Sequence, residues 1–346
     1  MKQINLIGRG QRPYLVAELS GNHEQNIELA KKMILAAKES GADAVKLQTY
    51  TPDTITLPVK NDYFKLNNGG PWDGSYFYDL YKRGFTPWEW HAELYQYTQQ
   101  LDITLFSTPF DETSVDFLEK TIHPPVYKIA SFELVHIPLL KKVAQTKKPV
   151  ILSTGMATEN EIREAVDTLR SNGSPQVILL KCISNYPALP KDHNLNTIKT
   201  LLEKFDCLVG LSDHSLGNEI ALGSIALGAC FIEKHFTLDR NSSGIDNLFS
   251  ITPQEFKSLR LAVDTLSQAL GNPTICPSPQ ERGELRSRRS IFISNDIKQG
   301  EPLSPKNIKI VRPADGLHPR HWESALGKNA THDLSKGNPL QLSDFK

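Results

Sequence analysis

The chain has 346 residues, with 39 basic and 39 acidic side chains and a formal net charge of zero. That balance removes any global pull toward nucleic acid or an anionic membrane, so an anion site must be local. Apolar residues make up 39%, enough for a large core, and no segment approaches the run of about 18 apolar residues that a membrane helix needs.

The N-terminal stretch MKQINLIGRGQRPYLVAEL lacks a charged head followed by a long apolar run, so no secretory leader is expected. Cys182, Cys207, Cys230 and Cys276 form no CxxC pair, and no disulfide framework or zinc knuckle is readable. The expected location is the cytoplasm.

From there a rhythm sets in. Short apolar runs at 14–19, 44–49, 103–109, 126–131, 149–154, 176–182, 207–213 and 231–236 alternate with stretches of helical period such as 27–40 and 160–171. Eight strand–helix units in order predict a closed parallel (β/α)8 barrel over residues 1–270. The competitor, a doubly wound open sheet, usually carries a Gly-rich dinucleotide turn, and none is present.

The rhythm breaks first at 51–87, a long connection after the second strand that contains Gly69, Gly70, Pro71, Trp72, Asp73 and Gly74. Long βα loops lie at the catalytic face of a barrel, so this one is expected to shape a substrate pocket. The second break, 271–288, carries Pro273, Pro277 and Pro279 and reads as a linker. Residues 289–346 then hold two strand-like pieces, 290–294 and 308–311, and turn glycines. A unit of this size folds alone only marginally.

Barrel chemistry projects from the C-terminal ends of the strands. In chain order those ends present Glu18; Lys46 and Gln48; Thr108; Lys128, Ser131 and Glu133; Ser153; Lys181, Asn185 and Tyr186; Ser212 and His214; and Glu233, Lys234 and His235. Strands buried on both faces should be almost wholly apolar, and buried ammonium groups need anionic partners. Lys46, Lys128, Lys181 and Lys234 are therefore expected to converge with Ser and Thr hydroxyls on a bound phosphate and carboxylate. Ion pairing to Glu18, Glu133, Glu233 or Asp246 is the plainer alternative. His214 and His235 end adjacent strands and form a candidate pair of metal ligands that leaves open positions for Lewis-acid chemistry. Imidazole and water ligation fits Mn2+, Co2+ or Mg2+.

Taken together, AELSGNH, GADAVKLQTYTPDTITL, FSTPF, YKIASFE, ILSTGMAT, LKCISNYP, VGLSDHS and IEKHFTLD resemble the N-acylneuraminate (sialic acid) synthase family, in order and over nearly the whole barrel. SRRSIF, DIKQGEPL, VRPADGLHP and GKNATHDLSKGNPL are similar to the SAF (antifreeze-like, β-clip) domain that follows the barrel in that family. YTPDTITL, GGPWDG and TPWEWH look most like the branch acting on the L-altro 2,4-diacetamido-2,4,6-trideoxyhexose, with the sialic and legionaminic acid synthases, which share the core motifs but usually differ in this loop, as the alternatives within the family.

The resemblance implies a condensation of phosphoenolpyruvate with an acetamido sugar, assisted by a divalent metal. It implies that His214 and His235 hold the metal, and that Lys46, Thr108, Ser131, Ser153 and Ser212 bind phosphate. Lys128 and Asn185 would lie near the phosphoenolpyruvate carboxylate or the sugar, with Gln48 at the intact KLQ spacing. Glu18 would be the acid/base carboxylate, its role relative to Glu233 staying open, and Glu133, Tyr186 and Asp246 would line the sugar pocket. Phe132, where many relatives have a small residue, would narrow that pocket for a 6-deoxy sugar. The family is a domain-swapped homodimer, in which Arg312 would enter the partner's barrel. Ice binding is not implied by the SAF fold alone. A Schiff-base barrel aldolase and a catalytically inactive sugar-binding protein are the readings from other classes.

Overall fold

The structure is a computed structural model that describes residue 8, residues 10–67 and residues 69–346. Eight strands close a parallel barrel in sequence order: β1 (Tyr14–Glu18), β2 (Ala44–Thr49), β3 (Thr104–Pro109), β4 (Tyr127–Ile129), β5 (Val150–Ser153), β6 (Val177–Cys182), β7 (Leu208–Asp213) and β8 (Phe231–His235), with β8 pairing back onto β1. Covering helices include Ile27–Glu39, His91–Gln100, Glu112–Thr121, Ile137–Gln145, Glu159–Ser171, Thr197–Lys204, Glu219–Ala226 and Pro253–Leu270. Local signals fix their starts. Asn26 accepts from the backbone N–H groups of Glu28 and Leu29, while Thr158 with Glu161 and Thr252 with Glu255 form capping boxes.

The strand period of two sorts every residue to one of two sides. Outward side chains such as Leu15, Val45, Leu105, Leu152, Leu179, Val209 and Ile232 join the helices in one continuous core. Inward side chains at the N-terminal half of the strands, among them Val16, Phe106, Ile151, Ile178, Leu180 and Phe231, plug the barrel. The next inward positions toward the C-terminal ends are polar, so the plug becomes the floor of a polar mouth.

The connection after β2 is not irregular. It folds short helices at Pro52–Ile55, Asp62–Phe64 and Phe77–Gly84. Its return is pinned by two buried histidines: His23 Nε2 lies 3.1 Å from Thr86 Oγ1, and His91 Nε2 lies 2.8 Å from Thr49 Oγ1.

The chain divides into two compact units at Gly271/Asn272. In the second, β9 (Ser290–Ile293) and β10 (Ile308–Val311) pair antiparallel over a small core of Ile291, Ile293, Ile297, Leu303, Ile308 and Leu340. Residues expected to be pure linker include a 3-10 helix at Gln280–Ser287, and Arg286 Nη2 pairs with Asp315 at 3.0 Å. Among the described residues, no helix is long and apolar enough to cross a membrane.

Candidate active site

At the barrel mouth, Lys46 Nζ lies 2.5 Å from Glu18 Oε2, 3.0 Å from Thr108 Oγ1 and 3.5 Å from Glu233 Oε1. Lys128 Nζ reaches the same Glu233 oxygen at 3.3 Å. All four charged groups are almost fully buried. Burial opposes the charge on Lys46, but Glu18 and Glu233 outweigh it and raise the pKa. For Lys128 burial wins, with the charge of Lys46 beside it, and the pKa falls despite Glu233. Glu233 is lowered because Lys128 and Lys46 overcome its burial. Two acidic and two basic side chains thus meet in one buried cluster at the barrel mouth.

Hydroxyl donors surround it. Gly155 N donates to Ser131 Oγ at 3.0 Å. A Cβ on Gly155 would lie 2.8 Å from that oxygen, so this close approach needs glycine. Ser153 and Ser212 are buried on the inward side of β5 and β7, and Gln48 is half-buried on β2. Asn185 is exposed beyond β6, its Oδ1 accepting from Tyr186 N at 3.1 Å.

His214 and His235 face each other with ring centroids 5.3 Å apart. His214 Nδ1 donates to Ile183 O at 2.8 Å, which leaves Nε2 as the lone-pair nitrogen. His235 Nδ1 is buried without a hydrogen-bond partner among the described residues, with Asp246 Oδ2 at 3.5 Å. Among those residues no group of three or more His, Cys, Asp or Glu is arranged to hold a metal. The two facing imidazoles are nitrogen donors of the kind that hold a divalent cation and leave open positions.

An aromatic wall flanks this pair. Tyr186 packs 4.4 Å from His214 and 5.0 Å from Phe249, and Trp72 packs 5.3 Å from Tyr186 while its Nε1 donates to Ile245 O at 3.0 Å. Asn22 Oδ1 accepts from Asp246 N at 3.0 Å, which fixes the loop after β8. Mouth atoms that are buried without a hydrogen-bond partner among the described residues include Glu133 Oε2, Ser153 Oγ, Glu233 Oε2 and His235 Nδ1. Buried polar atoms are nearly always paired, so such a cluster marks a place where a polar ligand completes the bonding.

Two expected members are elsewhere. Lys181 and Lys234 have the outward parity of their strands. Lys181 Nζ lies 3.4 Å from Cys182 O, and Lys234 Nζ is buried against Asp213. The four-lysine convergence is thus a two-lysine site, because Lys181 and Lys234 each neighbour inward-facing residues on their strands and adjacent residues cannot share a face. Phe132 is 57% exposed at the rim. Arg312 is exposed in the second unit and makes no hydrogen bond or ion pair among the described residues. Sequence reasoning missed Phe249, which only a 3-10 turn brings to the histidines, and Cys182, whose Sγ lies 4.0 Å from His214 Nδ1. Burial raises the Cys182 pKa, but His214 outweighs it and brings the thiol down to about 7.

A plugged eight-stranded barrel with paired acids and bases at its C-terminal mouth is a (β/α)8-barrel enzyme. Residues 33–274 match the NeuB family and residues 288–346 match the SAF domain. The chain is 42% identical to a pseudaminic acid synthase of Campylobacter jejuni, covering 99% of this chain and all of the relative. It is 43% identical to one from Helicobacter pylori, covering 97% and 98%. Among solved structures, the N-acetylneuraminic acid synthetase of Leptospira borgpetersenii, in complex with citrate, superposes with a TM-score of 0.73 at 33% identity, over 82% of this chain and 94% of that one. The chain belongs to the NeuB family.

Proposed function

We propose that this chain condenses phosphoenolpyruvate with 2,4-diacetamido-2,4,6-trideoxy-L-altrose and water, giving pseudaminic acid and phosphate. The observation that carries the reading is the mouth itself. Two buried lysines, several hydroxyls and buried polar atoms without hydrogen-bond partners suit an anionic, hydroxyl-rich ligand. The branch is supported by the near-full-length identity to two pseudaminic acid synthases.

In this reading Lys46 and Lys128, with Thr108, Ser131, Ser153 and Ser212, hold the phosphate and carboxylate of phosphoenolpyruvate, and Gln48 and Asn185 line the entrance. Glu133, Tyr186 and Asp246 orient the sugar. C3 of phosphoenolpyruvate bonds to the open-chain aldehyde carbon, and the oxygen there gains a proton. Water adds at C2 and loses a proton, and phosphate departs with cleavage of its C–O bond. Glu18 and Glu233 are the carboxylates that give and take these protons. His214 and His235 would hold a divalent cation, Mn2+, Mg2+ or Co2+, which would supply Lewis-acid polarisation of the aldehyde. The active form is a homodimer in which each SAF unit, through Arg312, completes the partner's barrel and limits water access.

Phosphate release from phosphoenolpyruvate tests this, with Mn2+ and a panel of N-acetylmannosamine and the 6-deoxy manno and altro diacetamido sugars. Release with the altro sugar alone, lost on adding EDTA, is expected. Release with another sugar moves the branch. No release, together with a borohydride-trapped pyruvate adduct, would replace the reading with a Schiff-base aldolase.

A further inference from the structure

Lys234 takes no part in the anion site, yet it is among the most deeply buried side chains in the molecule, at 2% exposure. Its ammonium has three N–H donors and three acceptors: Asp213 Oδ2 at 2.7 Å, Ser215 O at 2.8 Å and Gly217 O at 3.2 Å. Asp213 is equally committed. Its other oxygen, Oδ1, accepts from Ser215 N at 2.9 Å and Ser215 Oγ at 2.6 Å.

Stability alone does not account for a charged pair at this place. Two residues earlier on the same two strands the outward register partners are Leu211 and Ile232, both members of the apolar core around the barrel. An apolar pair at 213 and 234 would serve as well or better, because desolvating two charges offsets most of their attraction. What an apolar pair cannot do is grip the backbone that follows. Asp213 and Lys234 are register partners, and each immediately precedes one of the facing histidines, His214 and His235. Through one ammonium, the chain before His214 (Asp213) and after it (Ser215 and Gly217) is tied to the residue before His235. With His214 Nδ1 already on Ile183 O, both the ring and the backbone of this histidine are fixed relative to its neighbour.

We propose that Asp213 and Lys234 are a positioning pair that sets the separation of the two histidines and thereby the affinity of the site for a divalent cation. The inference rests on the reading that His214 and His235 hold that cation. Residues that hold metal ligands in place without touching the metal typically govern affinity by about 10–100-fold.

The test is Mn2+ binding, followed by the electron paramagnetic resonance signal of free Mn2+, with and without phosphoenolpyruvate. Wild type, Lys234→Met, Asp213→Asn and His214→Ala are compared, with thermal melts establishing that each is folded at the working temperature. Asp213→Asn keeps an acceptor for Ser215 and decides the matter if Lys234→Met does not fold. The expected result is a loss of Mn2+ affinity of about 10–100-fold in the folded pair variants. Phosphoenolpyruvate KM at saturating Mn2+ should be unchanged, and excess Mn2+ should restore turnover. Wild-type Mn2+ affinity in a folded pair variant overturns the positioning role while leaving the histidine site intact. Equal Mn2+ affinity in wild type and His214→Ala overturns the metal reading and the positioning role together.

Discussion

Glu133 sits where burial and charge oppose each other. Its Oε2 is unpaired among the described residues, and burial lifts its pKa from the ordinary 4.5 to about 7, with its own backbone N–H and Lys128 pulling weakly the other way. Between those two values the native state holds a proton that the unfolded chain has released, so stability falls as pH rises from about 4.5 to about 7 and stays low above that. A neutral isostere removes the effect. Glu133→Gln is therefore expected to melt a few degrees above wild type at pH 8.5, at roughly 2–4 °C per kcal/mol, and to match it near pH 4.5. Melting curves at the two pH values check this, and an equal shift at both would mean that Glu133 is not protonated at neutral pH. At this scale the sequence was informative about residue type and poor about direction. Lys46 and Lys128 were found with their anionic neighbours, but Lys181 and Lys234 were assigned to the same mouth although strand parity sends them outward. Counting in twos from Lys46 alone could not correct this, because the barrel's registers between strands are needed to compare parities.

Elements meet at the mouth through a single wedge. The side chain of Ile245, in the loop after β8, lies against Gly21 after β1 and against Gly84, which ends the helix Phe77–Gly84. A Cβ on Gly21 would lie 2.7 Å from Ile245 Cγ1, and one on Gly84 would overlap Ile245 Cδ1. Ile245 O in turn accepts from Trp72 in the long loop after β2. Three βα loops are thereby locked beside Asp246. Gly84→Ala is expected to cost about 1–3 kcal/mol, the usual range for overpacking a tight contact. Ile245→Val deletes the overlapping methyl, so the double variant should be more stable than the sum of the two single changes predicts, and chemical denaturation of all four proteins measures the coupling. Strict additivity would mean that the loops yield without strain. The eight units and the place of the long loop were legible because hydrophobic period and turn residues are local signals. The wedge was not, since nothing in the sequence near Ile245 indicates which glycines it will meet.

The whole molecule leaves two surfaces unexplained within one chain. Exposed large apolar side chains gather on the loops at the C-terminal ends of the strands, with Tyr63, Phe132, Met156, Leu189, Leu216 and Leu248 following six different strands. In the second unit Arg312 is exposed and has no partner among the described residues. Both features agree with the proposed dimer, in which the SAF unit of one protomer serves the barrel of the other. Mixing separates that arrangement from one in which each chain serves itself. Arg312→Ala keeps a sound barrel with a defective arm, and His214→Ala keeps a sound arm with a defective barrel, so each should be inactive as a homodimer. After unfolding and refolding together in equal amounts, half of the dimers are mixed. In each of these a sound barrel meets a sound arm once. Activity should therefore return to about a quarter of wild type if arms are exchanged, the fraction set by closed two-fold symmetry. If each arm serves its own barrel, every site keeps one defect and the mixture stays as inactive as its parts.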